Sequence, residues 1–214
     1  NKVQYEDYDF KIYKTPHFSI YNYLKDSSNL RTFGQLSEEW YLHHQKRLLD
    51  TIPNNPIILY NNHADFQQTS VIQSLVSVGT GGVTEGLRNR VVMPLTPSNR
   101  ETSHVLGHEM VHAFQYFMVK HNDSLSLQNM QNLPLWMVEG MAEYLSVGRK
   151  DNRTAMWMRD AVISKDLPTF KQMSRRPDKY FPYRYGHAFW AFIAGNWGEK
   201  MIRPLFMNTA KYGY

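Results

Sequence analysis

Two histidines four residues apart with a glutamate between them, His108-Glu109-Met110-Val111-His112, are the residues of this chain best suited to chemistry. In a helix, positions i and i+4 share a face, so both imidazoles can reach one ion. Zinc accepts neutral imidazole and carboxylate ligands, and a catalytic site keeps one tetrahedral corner for water. Glu109 would lean toward that open corner, where a carboxylate can take a proton from the water. The competing reading of these five residues is a polar helix face in solvent, with no metal.

A third ligand distinguishes the possible classes. In the pattern H-E-x-x-H-x-x-G-x-x-H it is a further histidine. Here Gln115 and Met118 occupy the glycine and histidine positions, which excludes that pattern. His104 lies one turn before His108, but a rise of 1.5 Å per residue separates it from His112 by about 12 Å. It is expected to be a packing or hydrogen-bonding neighbour. The stretch Trp136-Met137-Val138-Glu139-Gly140-Met141-Ala142-Glu143-Tyr144 offers two acids on one helix face within an otherwise apolar run. Glu139 can then bind the metal, and Glu143 can accept a hydrogen bond from a ligating histidine and fix its ring. Gly140 removes a side chain where two helices must approach closely. The alternative is a pair of solvated acids.

The elements that must position these residues follow from periodicity and punctuation. Alternation around Phe10, Ile12, Phe18, Ile20 and Tyr23, broken at Thr15-Pro16, predicts two strands or one bent strand between 8 and 23. Leu30 to Leu49 fits an amphipathic helix ended by Pro53 and Pro56. Ile57 to Tyr60 predicts a buried strand, and His63 beside the following turn carries no metal role. Residues 65–77 are expected to form one short helix, and Arg90 to Leu95 a strand ended by proline. Helices are predicted over about Arg100 to Lys120 and, between Pro134 and Gly148, over Leu135 to Val147. Three more are expected over Arg153 to Ser164, Tyr185 to Trp197 and Ile202 to Thr209, with a turn after Pro168. The expected architecture is α+β in one catalytic unit, residues 1–214. A sheet-rich lobe over 1–98 comes first, its small twisted, mostly antiparallel sheet packed on the metal-binding helix. A helical lobe over 99–214 follows across an active-site cleft.

Composition bounds the function. The 214 residues are 42% hydrophobic, enough for a real core. Cysteine is absent, leaving His and carboxylate as the metal ligands. The net charge of +5 comes from scattered Lys and Arg, Arg184 among them, with no basic run that would track a nucleic-acid backbone. These charges are assigned to solubility. No apolar run is long enough to span a bilayer. The chain starts at Asn1 and is expected to be a processed product or an excised segment.

The H-E-x-x-H run followed by W-x-x-E-G-x-A-E-Y resembles the gluzincin metallopeptidases, most of all the bacterial peptidase-MA-like modules found with TolB-like β-propellers. Tyr13-Lys14-Thr15-Pro16-His17-Phe18 and Gly81-Gly82-Val83-Thr84-Glu85-Gly86 are also similar to that group. The resemblance implies a zincin-like fold and one Zn2+ held by His108, His112 and Glu139, with Glu109 as catalytic base. It further implies a peptide or protein substrate, an exported setting (periplasmic, cell-envelope or extracellular) and a C-terminal β-propeller in a full-length protein. Pro182-Tyr183-Arg184-Tyr185-Gly186 is similar to the P-Y-x-x-G run of gluzincin aminopeptidases. That likeness implies Tyr183 as oxyanion donor, with Tyr185 and His187 as substitutes near the substrate. Glu85 corresponds to the glutamate of G-A-M-E-N, which reads a substrate amino terminus, although only the Gly and Glu of that motif are kept. The strand around Val91 to Leu95, with Val92 as a substrate contact, is expected to align an extended peptide by main-chain pairing. The second functional reading is a catalytically silent zinc module that serves as a protein-interaction platform; a third is a metal-free helical interaction domain.

Overall fold

The computed structural model describes residues 4–72 and 75–214. By contacts the chain divides into two compact units, residues 1–46 with 50–117 and residues 47–49 with 118–214.

The first unit is built on a five-stranded sheet. Its strands are β1 (Lys11–Lys14), β2 (Phe18–Asn22), β3 (Asn55–Tyr60), β4 (Val83–Glu85) and β5 (Arg90–Pro94), in the order β1-β2-β3-β5-β4. The outer pairs β1–β2 and β4–β5 are antiparallel, but β2–β3 and β3–β5 are parallel. The sheet is therefore mixed, which corrects the mostly antiparallel expectation. The reason lies in the connections. Helix α1 (Ser27–Leu48) separates β2 from β3, and a crossover of that length lets the chain return in the same direction.

Alternation gives the sheet two buried faces. Ile20, Ile57 and Val91 are in register across three strands and are fully buried. The opposite face carries Val92 and Tyr60, clustered with Phe66 and Val76 and flanked by Tyr8, Phe10 and Tyr23. Full burial of each such side chain contributes about 1.5–3 kcal/mol. Phe66 comes from α2 (His63–Gln67), a five-residue helix capped by Asn62. The single helix expected over 65–77 is thus shorter and starts earlier, and residues 73–74 lie outside the described residues. Helix α3 (Asn99–Lys120) carries the H-E-x-x-H run.

The second unit is helical: α4 (Leu135–Val147), α5 (Asn152–Ile163), α6 (Phe170–Arg175), α7 (Pro182–Trp197) and α8 (Ile202–Tyr212), with a 3-10 turn at Leu127–Asn132. Helix α4 has the predicted bounds. Helix α6 stands where only a turn was expected after Pro168, because Thr169 and Gln172 form a reciprocal capping box. The centre of the unit is the crossing of α4 and α7. A Cβ on Gly186 would lie 1.8 Å from the Trp136 carbonyl oxygen and 2.7 Å from Gly140 Cα. The close approach expected at Gly140 is thus made with α7. Trp190 closes the crossing by donating its indole N–H to the Met137 carbonyl at 2.8 Å. Among the described residues no helix is long and apolar enough to cross a membrane.

Candidate active site

Helix α3 is fixed against α1 one residue before the motif begins. Gly107 has no side chain, and a Cβ there would lie 2.7 Å from the Trp40 ring. The indole therefore lies on the α3 backbone, with its N–H donated to Ser103 Oγ at 3.2 Å. Buried His44 donates from Nε2 to the Gly107 carbonyl at 2.9 Å. His104 packs edge-on against His108, with ring centroids 6.2 Å apart.

His108 and His112 are both buried and turn their Nε2 atoms toward each other, 3.2 Å apart. Two nitrogens bonded at 2.0–2.1 Å to one tetrahedral ion would stand about 3.3 Å apart. The pair therefore fits the donor spacing that zinc requires. The hydrogen bonding of His112 fits as well. His112 Nδ1 lies 2.8 Å from Gln115 Oε1, an oxygen that can only accept. With that oxygen accepting, the ring donates from Nδ1, and Nε2 is the nitrogen that can serve a metal. Gln115 was noticed in the sequence only as a departure from a glycine. At i+3 on the helix, it orients the second histidine.

Glu109 is also buried, and its carboxylate is held from β4. Thr84 Oγ1 lies 2.8 Å from Glu109 Oε2 and 2.9 Å from the Glu109 carbonyl oxygen. A Cβ on Gly82 would stand 2.8 Å from Glu109 Cγ and 3.2 Å from Oε1, so only glycine leaves the side chain its path. Neither Thr84 nor Gly82 was singled out for this role by sequence, because the contact spans 25 residues and depends on strand register.

Glu85 lies on the same strand, but Arg90, its register partner on β5, takes its carboxylate as an ion pair. Val92 is fully buried and sits between Ile58 and Val83 in the sheet. Val91 and Val92 have strand partners on both sides, so main-chain pairing with a peptide is not open at Val92, while Met93 and Pro94 pair only with β3. Sheet order leaves β4 as the edge strand on that side. A cavity of about 630 Å³ opens at the ends of β3 and β5, lined by His63, Gly81, Leu95, Thr96, Glu101 and Val105 among others. His63 itself donates to the Thr80 carbonyl.

In the second unit, Glu139 and Glu143 stand one turn apart on α4, Glu139 half-buried and Glu143 buried. Arg184 on α7 meets Glu143 Oε1 at 2.8 Å and Asp151 Oδ2 at 3.0 Å. Its side chain is 11% exposed, so it is an internal counter-charge and not the solubilising residue expected from composition. Asp151 caps α5 by accepting from the Thr154 N–H. Burial alone would raise the Asp151 carboxyl, but the Thr154 bonds and the Arg184 guanidinium hold it below the usual carboxylate range.

Tyr183 lies in the first turn of α7, half-buried and stacked on Phe181 with ring centroids 5.0 Å apart. Tyr185 and His187 behave otherwise. Tyr185 packs edge-on against Tyr180 and Trp157, and burial pushes its phenol pKa up. His187 is buried and donates to the Gly148 carbonyl at 2.8 Å. Both make contacts that hold their own unit together.

The fold is α+β with a mixed sheet, and its best-formed constellation is a histidine pair with a fixed carboxylate between them. Residues 84–172, which include the H-E-x-x-H run and the acids of α4, match the family described as BSP, peptidase of plants and bacteria. That match supports a peptidase-like family. No curated protein matches the chain.

Proposed function

We propose that this chain is a zinc-dependent peptidase of gluzincin type, with Zn2+ held by His108, His112 and Glu139. The reading is carried by the 3.2 Å separation of the two Nε2 atoms, with a buried carboxylate, Glu109, between their residues. It is supported by the peptidase family match, and Glu139 enters as third ligand through the likeness of its E-G pair to the gluzincin motif.

The chemistry a zinc ion supplies at such a site is acidification of water and polarisation of a carbonyl. The protein does the rest. Glu109 takes the proton of the attacking water and returns it to the leaving amine. Gln115 keeps the His112 proton on the nitrogen that faces away from the ion. Glu143, with its charge compensated by Arg184, orients a ligating histidine as a hydrogen-bond acceptor. The cavity beside Val105 receives a substrate side chain.

Tyr183 donates its hydroxyl to the oxyanion that develops on the scissile carbonyl. Removing one such donor typically costs about 3–4 kcal/mol. Tyr183→Phe is therefore expected to lower kcat by about a hundredfold or more with KM little changed. Steady-state kinetics on one peptide substrate check this, and a wild-type kcat would exclude Tyr183.

The reading as a whole is tested with a quenched-peptide library and a zinc assay on the same preparation. Cleavage that 1,10-phenanthroline abolishes and added zinc restores is the expected result. Stoichiometric zinc with no cleavage would instead make the chain a silent binding module. Absence of stoichiometric metal after zinc loading would remove both readings.

A further inference from the structure

We propose that Thr84 and Gly82 form a fixed seat for the Glu109 carboxylate, with Thr84 a positioning residue for the proton transfer. The inference rests on the reading of Glu109 as base and adds to it the residues that aim it.

A glutamate side chain has three rotatable bonds, and ordering it costs conformational entropy. The H-E-x-x-H spacing places Glu109 on α3 but does nothing to choose among its rotamers. The choice is made from β4. The 2.8 Å contact from the Thr84 hydroxyl defines where Oε2 stands. On the other side, the backbone at Gly82 comes so near that any side chain would displace Cγ and Oε1. One residue supplies the attraction and the other the room, from alternate positions of one short segment.

The Thr84 hydroxyl has a single proton and two acceptors in reach, Oε2 and the Glu109 carbonyl. While Glu109 is a carboxylate, Oε2 is the stronger acceptor and takes the proton. Valine has the shape of threonine and no hydroxyl to donate.

The test compares the full chain with Thr84→Val, Thr84→Ser and Gly82→Ala. A misplaced catalytic group of this kind costs on the order of a hundredfold at an ångström of error. Thr84→Val is expected to lose about 10–100-fold in kcat with KM within about twofold, while Thr84→Ser stays within about threefold of wild type. Zinc content and melting temperature of both should match wild type. Gly82→Ala should lose kcat like Thr84→Val.

A second arm needs no activity and no metal. Crystal structures of the zinc-free proteins should show Glu109 Oε2 within hydrogen-bond distance of residue 84 in wild type and Thr84→Ser, and turned to another rotamer in Thr84→Val. Wild-type kcat in Thr84→Val, a serine variant as slow as the valine one, or an unmoved carboxylate in Thr84→Val overturns the proposal. Should the wild-type chain cleave no peptide, the peptidase reading falls and the crystallographic arm alone decides whether the seat exists.

Discussion

Glu109→Gln is expected to reduce peptide hydrolysis by about a thousandfold or more while zinc stays bound, since proton transfer by one positioned group supplies about 10²–10⁴-fold. The amide matches the carboxylate in size, so Gly82 still leaves it room and an Oε1 acceptor can still meet the Thr84 hydroxyl. It cannot take up a proton. The loss should therefore fall on kcat, with KM and melting temperature close to wild type. Metal content measured on the same sample separates the outcomes. Intact zinc with no turnover identifies Glu109 as the base, whereas full turnover in the glutamine variant would end the mechanism proposed for this site. Set beside Thr84→Val, the pair orders the two contributions. The glutamine variant lacks the chemistry and the valine variant only the aim, so the first loss must exceed the second.

What could be read in the sequence was local. The spacing of His108, Glu109 and His112 is set by helical geometry alone, and α3 came out within a residue of its expected bounds. Helix α4 was legible because Pro134 opens it and Gly148, with φ of +84°, closes it. The His112–Gln115 contact is local too, three residues along one helix. The capping box at Thr169 and Gln172 is likewise a short-range signal. The remainder was non-local. Strand β4 has three residues after a run of glycines, too short for any alternation, and only its pairing with β5 makes it a strand. The Thr84–Glu109 contact follows from that pairing. Parallel pairing of β2, β3 and β5 depends on where α1 lets the chain re-enter the sheet, which no strand's own residues encode. Arg184 looked like any exposed arginine, because the two carboxylates that enclose it come 41 and 33 residues earlier in the chain.

Gly186→Ala is expected to unfold the helical unit. The added methyl would lie 1.8 Å from the Trp136 carbonyl oxygen, and the nearest atoms are backbone on both sides. No rotamer change relieves such a contact; α4 and α7 must move apart. Ordinary overpacking costs about 1–3 kcal/mol, and a backbone-on-backbone collision belongs above that range, at about 4 kcal/mol or more. For a unit of this size, about 4–8 °C of Tm are lost per kcal/mol, so the transition should fall by roughly 15 °C or more. Gly140→Ala should behave alike, since its Cβ would stand 2.2 Å from the Gly186 carbonyl carbon. Gly195→Ala on the same helix is the control. Its Cβ would meet the end of the Arg149 side chain at 2.7 Å, which can swing away, so a change within about 1 kcal/mol is expected. Thermal unfolding of the three variants by circular dichroism decides the matter: Gly186→Ala melting within a few degrees of wild type would contradict the close crossing. The consequence reaches beyond stability. Helix α4 carries Glu139 and Glu143, and α7 carries Tyr183 and Arg184. Arg184 reaches Glu143 at 2.8 Å only because the two backbones touch two residues further along α7. A pair of glycines thus sets the distance at which a buried carboxylate finds its counter-charge. Any variant that spreads the helices without melting the unit should expose the Glu143 charge, weakening the histidine orientation proposed for it before the fold itself is lost.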